Sequence, residues 1–205
     1  MGQPIMTAIE RMRKHGFEVV ELETAAQAKA YLTSHISADS TVGVSGSVTI
    51  REIEVIAALQ EKGCRIYQHW GAQKADVPAI FEQARASDVY LTSANAVTKE
   101  GSLVFIDGTC NRVSAILFGP KQVYFVVSIA KFVEGGINTA IARIKQTACP
   151  QNARRIGLAT PCATTGICKS SECDEESMCS ATVVLDRVPR GRIMTVLLVE
   201  EALGY

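Results

Sequence analysis

The chain predicts an α/β fold, a mostly parallel sheet flanked by helices, completed by a cysteine-rich flap and a C-terminal hairpin. Strand-sized apolar runs alternate with helical patterns of about 10 to 15 residues, the signature of βαβ units. The clearest run, QVYFVV at 122–127, is rich in β-branched and aromatic residues, as a central strand covered on both faces requires. Apolar periodicity then disappears between Cys149 and Cys179, which marks the flap as an insertion on one α/β body rather than a second domain. A single domain over 1–205 is expected, with a metal-binding segment at 149–180.

The elements follow in order. Residues 6–15 read as a helix with Ile5, Ile9 and Met12 on one face, ended by Gly16. A strand at 17–22 leads to a second helix at 24–35, with Thr24 as its N-cap. A short strand at 41–44 runs into GVSGSVTIREIEVIAALQEKG, where Ile50, Ile53, Ile56, Ala57 and Leu59 recur at helical spacing. A weak strand at 65–67, a helix at 77–86 and a buried strand at 88–91 come next. Residues 102–106 and 113–118 read as extended, joined by an Asp107-Gly108 hairpin turn. A helix is expected at 135–147, and strands at 182–185 and 193–199 are expected to pair through a turn at 189–191.

Bulk composition excludes several classes. Of the 205 residues 47 % are apolar and 20 % charged, which is ordinary globular usage. Twenty-one basic residues balance twenty-one acidic ones, so there is no electrostatic footprint for nucleic acid. The sequence MGQPIMTAIERMRKHG lacks the apolar core of a secretory signal, and no apolar run approaches the roughly 20 residues of a membrane span. A cytoplasmic, reducing location is therefore expected, and a structural disulfide framework is disfavoured. The seven cysteines are also an odd number.

Four of those cysteines, Cys162, Cys168, Cys173 and Cys179, fall within 18 residues as C-x5-C-x4-C-x5-C. Thiolates so close repel unless a cation neutralises them, and the segment is too polar to fold on its own packing. Structural zinc sites use short C-x2–4-C knuckles. Only the middle gap is that short, so the wide outer gaps favour a [4Fe–4S] cluster, with zinc the alternative. Cys149, before Pro150, is either a spare ligand or a buried apolar thiol. Cys64 and Cys110 read as non-ligands.

Three further segments carry polar chemistry. Ser45, Gly46, Ser47 and Thr49 lie between a buried strand and a helix, where hydroxyls and backbone N–H groups suit a phosphate or carboxylate; equally, Ser47 is a plain N-cap. The segment lacks both the dinucleotide-binding glycine spacing and the Walker-A lysine. Ser93, Asn95 and Thr98 follow the strand ending at Leu91, at the carboxyl edge where open parallel sheets bind ligands. Glu100 and Asp107 are the acid–base candidates, and Arg112 either clamps an anion or pairs with a carboxylate. His69, beside the single tryptophan, favours packing over catalysis.

The segments GVSGSVTIREIEVIAAL, TSANAVTKEGSLVFIDGTCNRVSAILFGPKQVYFVV, PQNARR and RIMTVLLVEEALGY together resemble the LUD-domain family, the lactate utilisation proteins, in its branch with a cysteine-rich stretch after a Pro-Cys, here Pro161-Cys162. Cys110 departs from the resemblance, since glycine is usual at that place in DGT-x-NR. The resemblance implies a fold similar to glucosamine-6-phosphate deaminase, ribose-5-phosphate isomerase and CoA transferases. It further implies a part in oxidising lactate to pyruvate alongside iron–sulfur partner proteins. Three functions follow as expectations. The first is an organic-acid protein holding a cluster and an anionic small molecule. The second is an isomerase- or transferase-like enzyme on a phosphorylated or CoA-linked metabolite, with structural zinc. The third is a non-catalytic assembly subunit. Homo-oligomerisation is compatible with each.

Overall fold

A computed structural model describes residues 2–173 and 177–205. Its first half builds a parallel sheet. Helix α1 (Gln3–Lys14) buries Ala8, Ile9 and Met12 and leads into β1 (Glu18–Leu22). Helix α2 (Ala25–His35) opens on a capping box, in which Thr24 accepts from the Gln27 backbone while the Gln27 side chain accepts from the Thr24 N–H. After β2 (Thr41–Val44), the expected single helix is two, α3 (Val48–Glu52) and α4 (Val55–Glu61), broken where Glu54 adopts a left-handed backbone with φ 51°. β3 (Arg65–Tyr67), α5 (Val77–Arg85) and β4 (Val89–Thr92) match expectation.

The second half departs from the sequence reading in two places. β5 (Ala96–Val97) and β6 (Leu103–Asp107) pair antiparallel, but no strand follows the Asp107-Gly108 turn. Residues expected as extended form helix α6 (Asn111–Phe118), because Asp107 caps it through the backbone N–H groups of Cys110 and Val113. Val113 and Ile116, three apart, turn to the core while Phe118 stays exposed. Beyond β7 (Gln122–Ser128), α7 (Ile137–Arg143), α8 (Cys149–Arg155) and the short α9 (Pro161–Thr165), the last two strands do not form the expected hairpin. β8 (Ala181–Leu185) pairs antiparallel with β6, whereas β9 (Ile193–Val199) lies parallel between β1 and β7. The seven-residue register of β9 against β7, buried at every pair but Gln122–Ile193, outweighs local pairing through the Pro189 turn.

The large sheet is therefore six parallel strands in the order β1-β9-β7-β4-β2-β3, and the small one is β5-β6-β8. Period-two alternation divides each inner strand between two cores. Met194, Val196 and Leu198 of β9 pack with α1 and α6, whereas Leu197 and Val199 pack with α2, α3 and α4. β6 does the same for the small sheet: Leu103 and Phe105 join the first core, while Val104 and Ile106 meet α7 in a third. Burying a side chain such as Phe105 stabilises by about 1.5–3 kcal/mol. Among the described residues no helix is long and apolar enough to cross a membrane.

Candidate functional site

β2 is flanked by β3 on one side and β4 on the other, so the chain leaves the sheet in opposite directions there. Open α/β sheets bind ligands at such a reversal, outside the carboxyl ends of their strands. A cavity of about 240 Å³ lies at that edge, walled by the segments after β2, β4, β6 and β7 and by the last residues, Gly204 and Tyr205.

Its most buried charged side chain is Lys131, 3 % exposed, in the 3-10 turn Ile129–Lys131 that follows β7. Nζ donates to Thr49 Oγ1 at 2.8 Å and Ser93 Oγ at 3.0 Å. No carboxylate among the described residues pairs with it. Burial, reinforced by Arg143 and Arg112 and only partly offset by Glu52, pulls its pKa down to about 7. Gly204 approaches closely, with φ +62°, and a Cβ there would lie 2.3 Å from Thr49 Oγ1 and 3.0 Å from Lys131 Nζ.

The surrounding charge is mainly positive. Arg112 is held by Asp107 Oδ2 at 3.2 Å, Asn95 Oδ1 at 3.0 Å and the Ile106 carbonyl at 2.7 Å. Arg143 donates to the Asn95 and Ala130 carbonyls and so ties the segment after β4 to that after β7. At the mouth, Arg155 donates to Tyr205 Oη at 2.8 Å and Asn152 Oδ1 at 2.7 Å. His69 leans over Gly46, and burial with the nearby Arg155 charge lowers its pKa, which favours the neutral ring. Asp107 answers only part of this charge.

A second cavity of about 180 Å³ lies beside the first, lined by Cys149, Cys162, Cys168, Cys173 and Cys179. All five are free thiols. Cys149 and Cys179 Sγ lie 3.5 Å apart and share a hydrogen bond. That bond, with burial and the neighbouring sulfurs, pushes Cys149 far above the ordinary thiol range, while the same bond and Lys145 lower Cys179 to about 7. Among the described residues no three His, Cys, Asp or Glu side chains converge as a single metal ion requires. Five cysteines instead line one space, and four cysteine ligands around one volume are the donor set of an iron–sulfur cluster. The residues fit such a group.

One continuous helical stretch joins the cavities. Between α7 and α8 the chain widens into a π-helical turn, Ile144–Ala148. Pro150, with no N–H and a ring that crowds the carbonyl four residues before it, accounts for the widening. Ile144 and Ala148 face the first cavity and Lys145 the second, while Cys149 and Met178 line both.

A LUD domain model matches residues 5–199. The chain belongs to the LUD domain family. Among solved structures, a DUF162 family protein from Deinococcus radiodurans aligns with a TM-score of 0.54 at 12 % identity, covering 96 % of each chain; at that identity the likeness bears on the fold alone. No curated protein matches the chain.

The LUD domain gathers most of the residues read from sequence. Gly46, Ser47, Thr49, Ser93, Asn95, Asp107 and Arg112 line the first cavity. Ser45, Thr98 and Glu100 do not: Ser45 donates to Thr92 Oγ1, Thr98 Oγ1 accepts from the Ser102 N–H, and Glu100 lies near Lys99. Asp107 is engaged with Arg112 and the start of α6, and Ser47 caps α3 by accepting from the Ile50 N–H. All four cysteines of the quartet line the second cavity, joined by Cys149, whereas Cys64 and Cys110 lie away from it. Sequence reasoning passed over Lys131, Arg143, Arg155 and Tyr205. The signal for Lys131 was a cation inside VVSIAKFV, directly after the most apolar strand.

Proposed function

We propose that this LUD-domain protein serves organic-acid metabolism, binding a small carboxylate at the sheet edge and an iron–sulfur cluster, [4Fe–4S] in type, beside it. One observation carries the reading: Cys149 and Met178 form a wall common to the cationic cavity and the thiol-lined cavity. Arg112 and Arg155 supply the charge that holds a carboxylate, and Lys131, Ser93, Thr49 and Asn95 supply polar partners that orient it. Four of the five cysteines would hold the cluster, whose chemistry is one-electron transfer or, with an open coordination position, Lewis-acid polarisation. Buried Ala153, Cys162 and Ala163, with half-buried Met178 against them, form a small apolar shell there, which limits solvent access.

Zinc is favoured less, because a mononuclear site gathers four donors about 2.0–2.3 Å from one point. An electron-transfer role fits iron–sulfur partner proteins, to which electrons would pass through the flap. The test is anaerobic purification with iron and acid-labile sulfide analysis. About four iron and four sulfide per chain, with visible absorption, are expected; a colourless protein with one zinc per chain would overturn the reading.

A further inference from the structure

We propose that Lys131 is a nucleophilic amine that captures small 2-oxo acids in the cationic cavity as a covalent imine, with Arg112 and Arg155 receiving the carboxylate. This rests on the cavity being an anion site and adds the reactive atom and the class of ligand.

Four observations carry it. Lys131 Nζ reaches the cavity although its side chain is 3 % exposed, so the amine has been taken out of water at a ligand-sized space. Both of its hydrogen bonds go to hydroxyls, of Thr49 and Ser93, rather than to a carboxylate that would hold the ammonium form. The charged groups around it are Arg143 and Arg112, which disfavour the ammonium, and Glu52, the weakest influence, whose carboxylate accepts from the Gly204 N–H. Finally, only glycine fits at position 204, where a Cβ would stand 2.3 Å from Thr49 Oγ1 and 3.0 Å from Nζ, so the backbone there walls the amine closely on that side. A lysine serving only as a structural cation gains from a carboxylate partner; a lysine desolvated beside other cations is instead kept nucleophilic. The pKa of about 7 leaves a substantial neutral fraction at neutral pH.

The chemistry balances without an oxidant. The Nζ lone pair forms a C–N bond to the C2 carbonyl carbon, and the carbonyl π pair takes a proton from nitrogen to give a carbinolamine. Its hydroxyl leaves as water, with a proton relayed through the Thr49 hydroxyl, and the remaining N–H proton returns to that relay to leave the neutral imine. One amine and one carbonyl give one imine and one water. Hydrolysis reverses it. A 2-hydroxy acid has the same carboxylate and no carbonyl, so it occupies the cavity without forming the bond.

The experiment uses the full chain, with pyruvate as probe and sodium cyanoborohydride to fix any imine. Intact mass and peptide mapping are expected to find one reduced pyruvate adduct per chain, on the peptide carrying Lys131. L-lactate is expected to suppress it competitively and to give no adduct itself. Lys131→Met and Lys131→Arg are expected to lose the adduct while keeping the wild-type circular dichroism. Calorimetric titration of pyruvate without reductant separates the two ideas. Binding with no adduct overturns the imine and leaves the anion site standing. Neither binding nor adduct overturns both. Adducts spread over exposed lysines, or persisting in Lys131→Met, also overturn the assignment.

Discussion

At Cys110 the backbone has φ 62°, a left-handed conformation that glycine adopts freely and a side chain resists. The family resemblance places glycine there, and the geometry supplies the reason: the turn after Asp107 must reverse the chain before α6 begins. Cys110→Gly is expected to stabilise the fold by about 1 kcal/mol, read as an upward shift in urea midpoint at unchanged slope. Lys131 sets a pH dependence of opposite origin. Its folded pKa of about 7 lies below the ordinary lysine value of 10.5, so between those limits the unfolded chain binds more protons. This group's contribution to stability therefore rises as pH climbs from about 7 toward 10.5, and its penalty is fully present below pH 7. Lys131→Met removes that slope: its advantage in Tm over the wild type is expected to be largest below pH 7 and to shrink steadily as pH rises toward 10.5. A constant difference across that range would refute the assignment of the titration to Lys131.

Among the elements, the π-helical turn has the clearest consequence. By widening the helix at Ile144–Ala148, Pro150 fixes where Cys149 emerges between the cavities. Pro150→Ala restores a backbone donor and relieves the ring clash, so the turn can close to α geometry and rotate Cys149 off its wall. Anaerobically purified Pro150→Ala is expected to retain less than half the wild-type iron, with the parallel sheet intact by circular dichroism. The flap from α9 to β8 is a different kind of element. Among the described residues its apolar support is a small cluster around Ala153, Cys162 and Ala163, far too little to offset the ordering entropy of the segment. Chelation of the metal is expected to abolish amide protection in residues 160–173 while β7 and β9 exchange as slowly as before, by hydrogen–deuterium exchange mass spectrometry.

For the whole molecule, the proposed function makes the parallel body and the thiol-lined flap separate in stability and joined in chemistry. The body has two extensive cores on opposite faces of the six-stranded sheet and needs no metal to persist. The flap meets it where Cys149 and Met178 wall both cavities. A carboxylate entering the first cavity brings negative charge close to the thiolates of the second, and charge near a cluster shifts its potential. L-lactate is expected to lower the cluster's midpoint potential or alter its visible spectrum at saturating concentration; identical spectra with and without bound ligand would show that the two sites act independently.

The sequence by itself determined the βαβ order, the Thr24 N-cap, the central strand at 122–127 and the four-thiol segment, since periodicity, capping and residue spacing are local properties of the chain. It also placed Ser93 and Asn95 at the carboxyl edge, because that edge follows once the strands are known, whereas Thr98, expected beside them, turns to the Ser102 N–H. Three things waited for the tertiary structure. Residues 113–118 carry strand-like side chains but become helical, since Asp107 caps them and Val113 and Ile116 find a core three residues apart. β8 and β9 separate into different sheets, since long-range pairing with β6 and β7 outweighs a short turn. Lys131 and Cys149 acquire their surroundings only by packing, because a lysine loses its water, and a thiol comes to stand between two cavities, when segments far apart in sequence close around them.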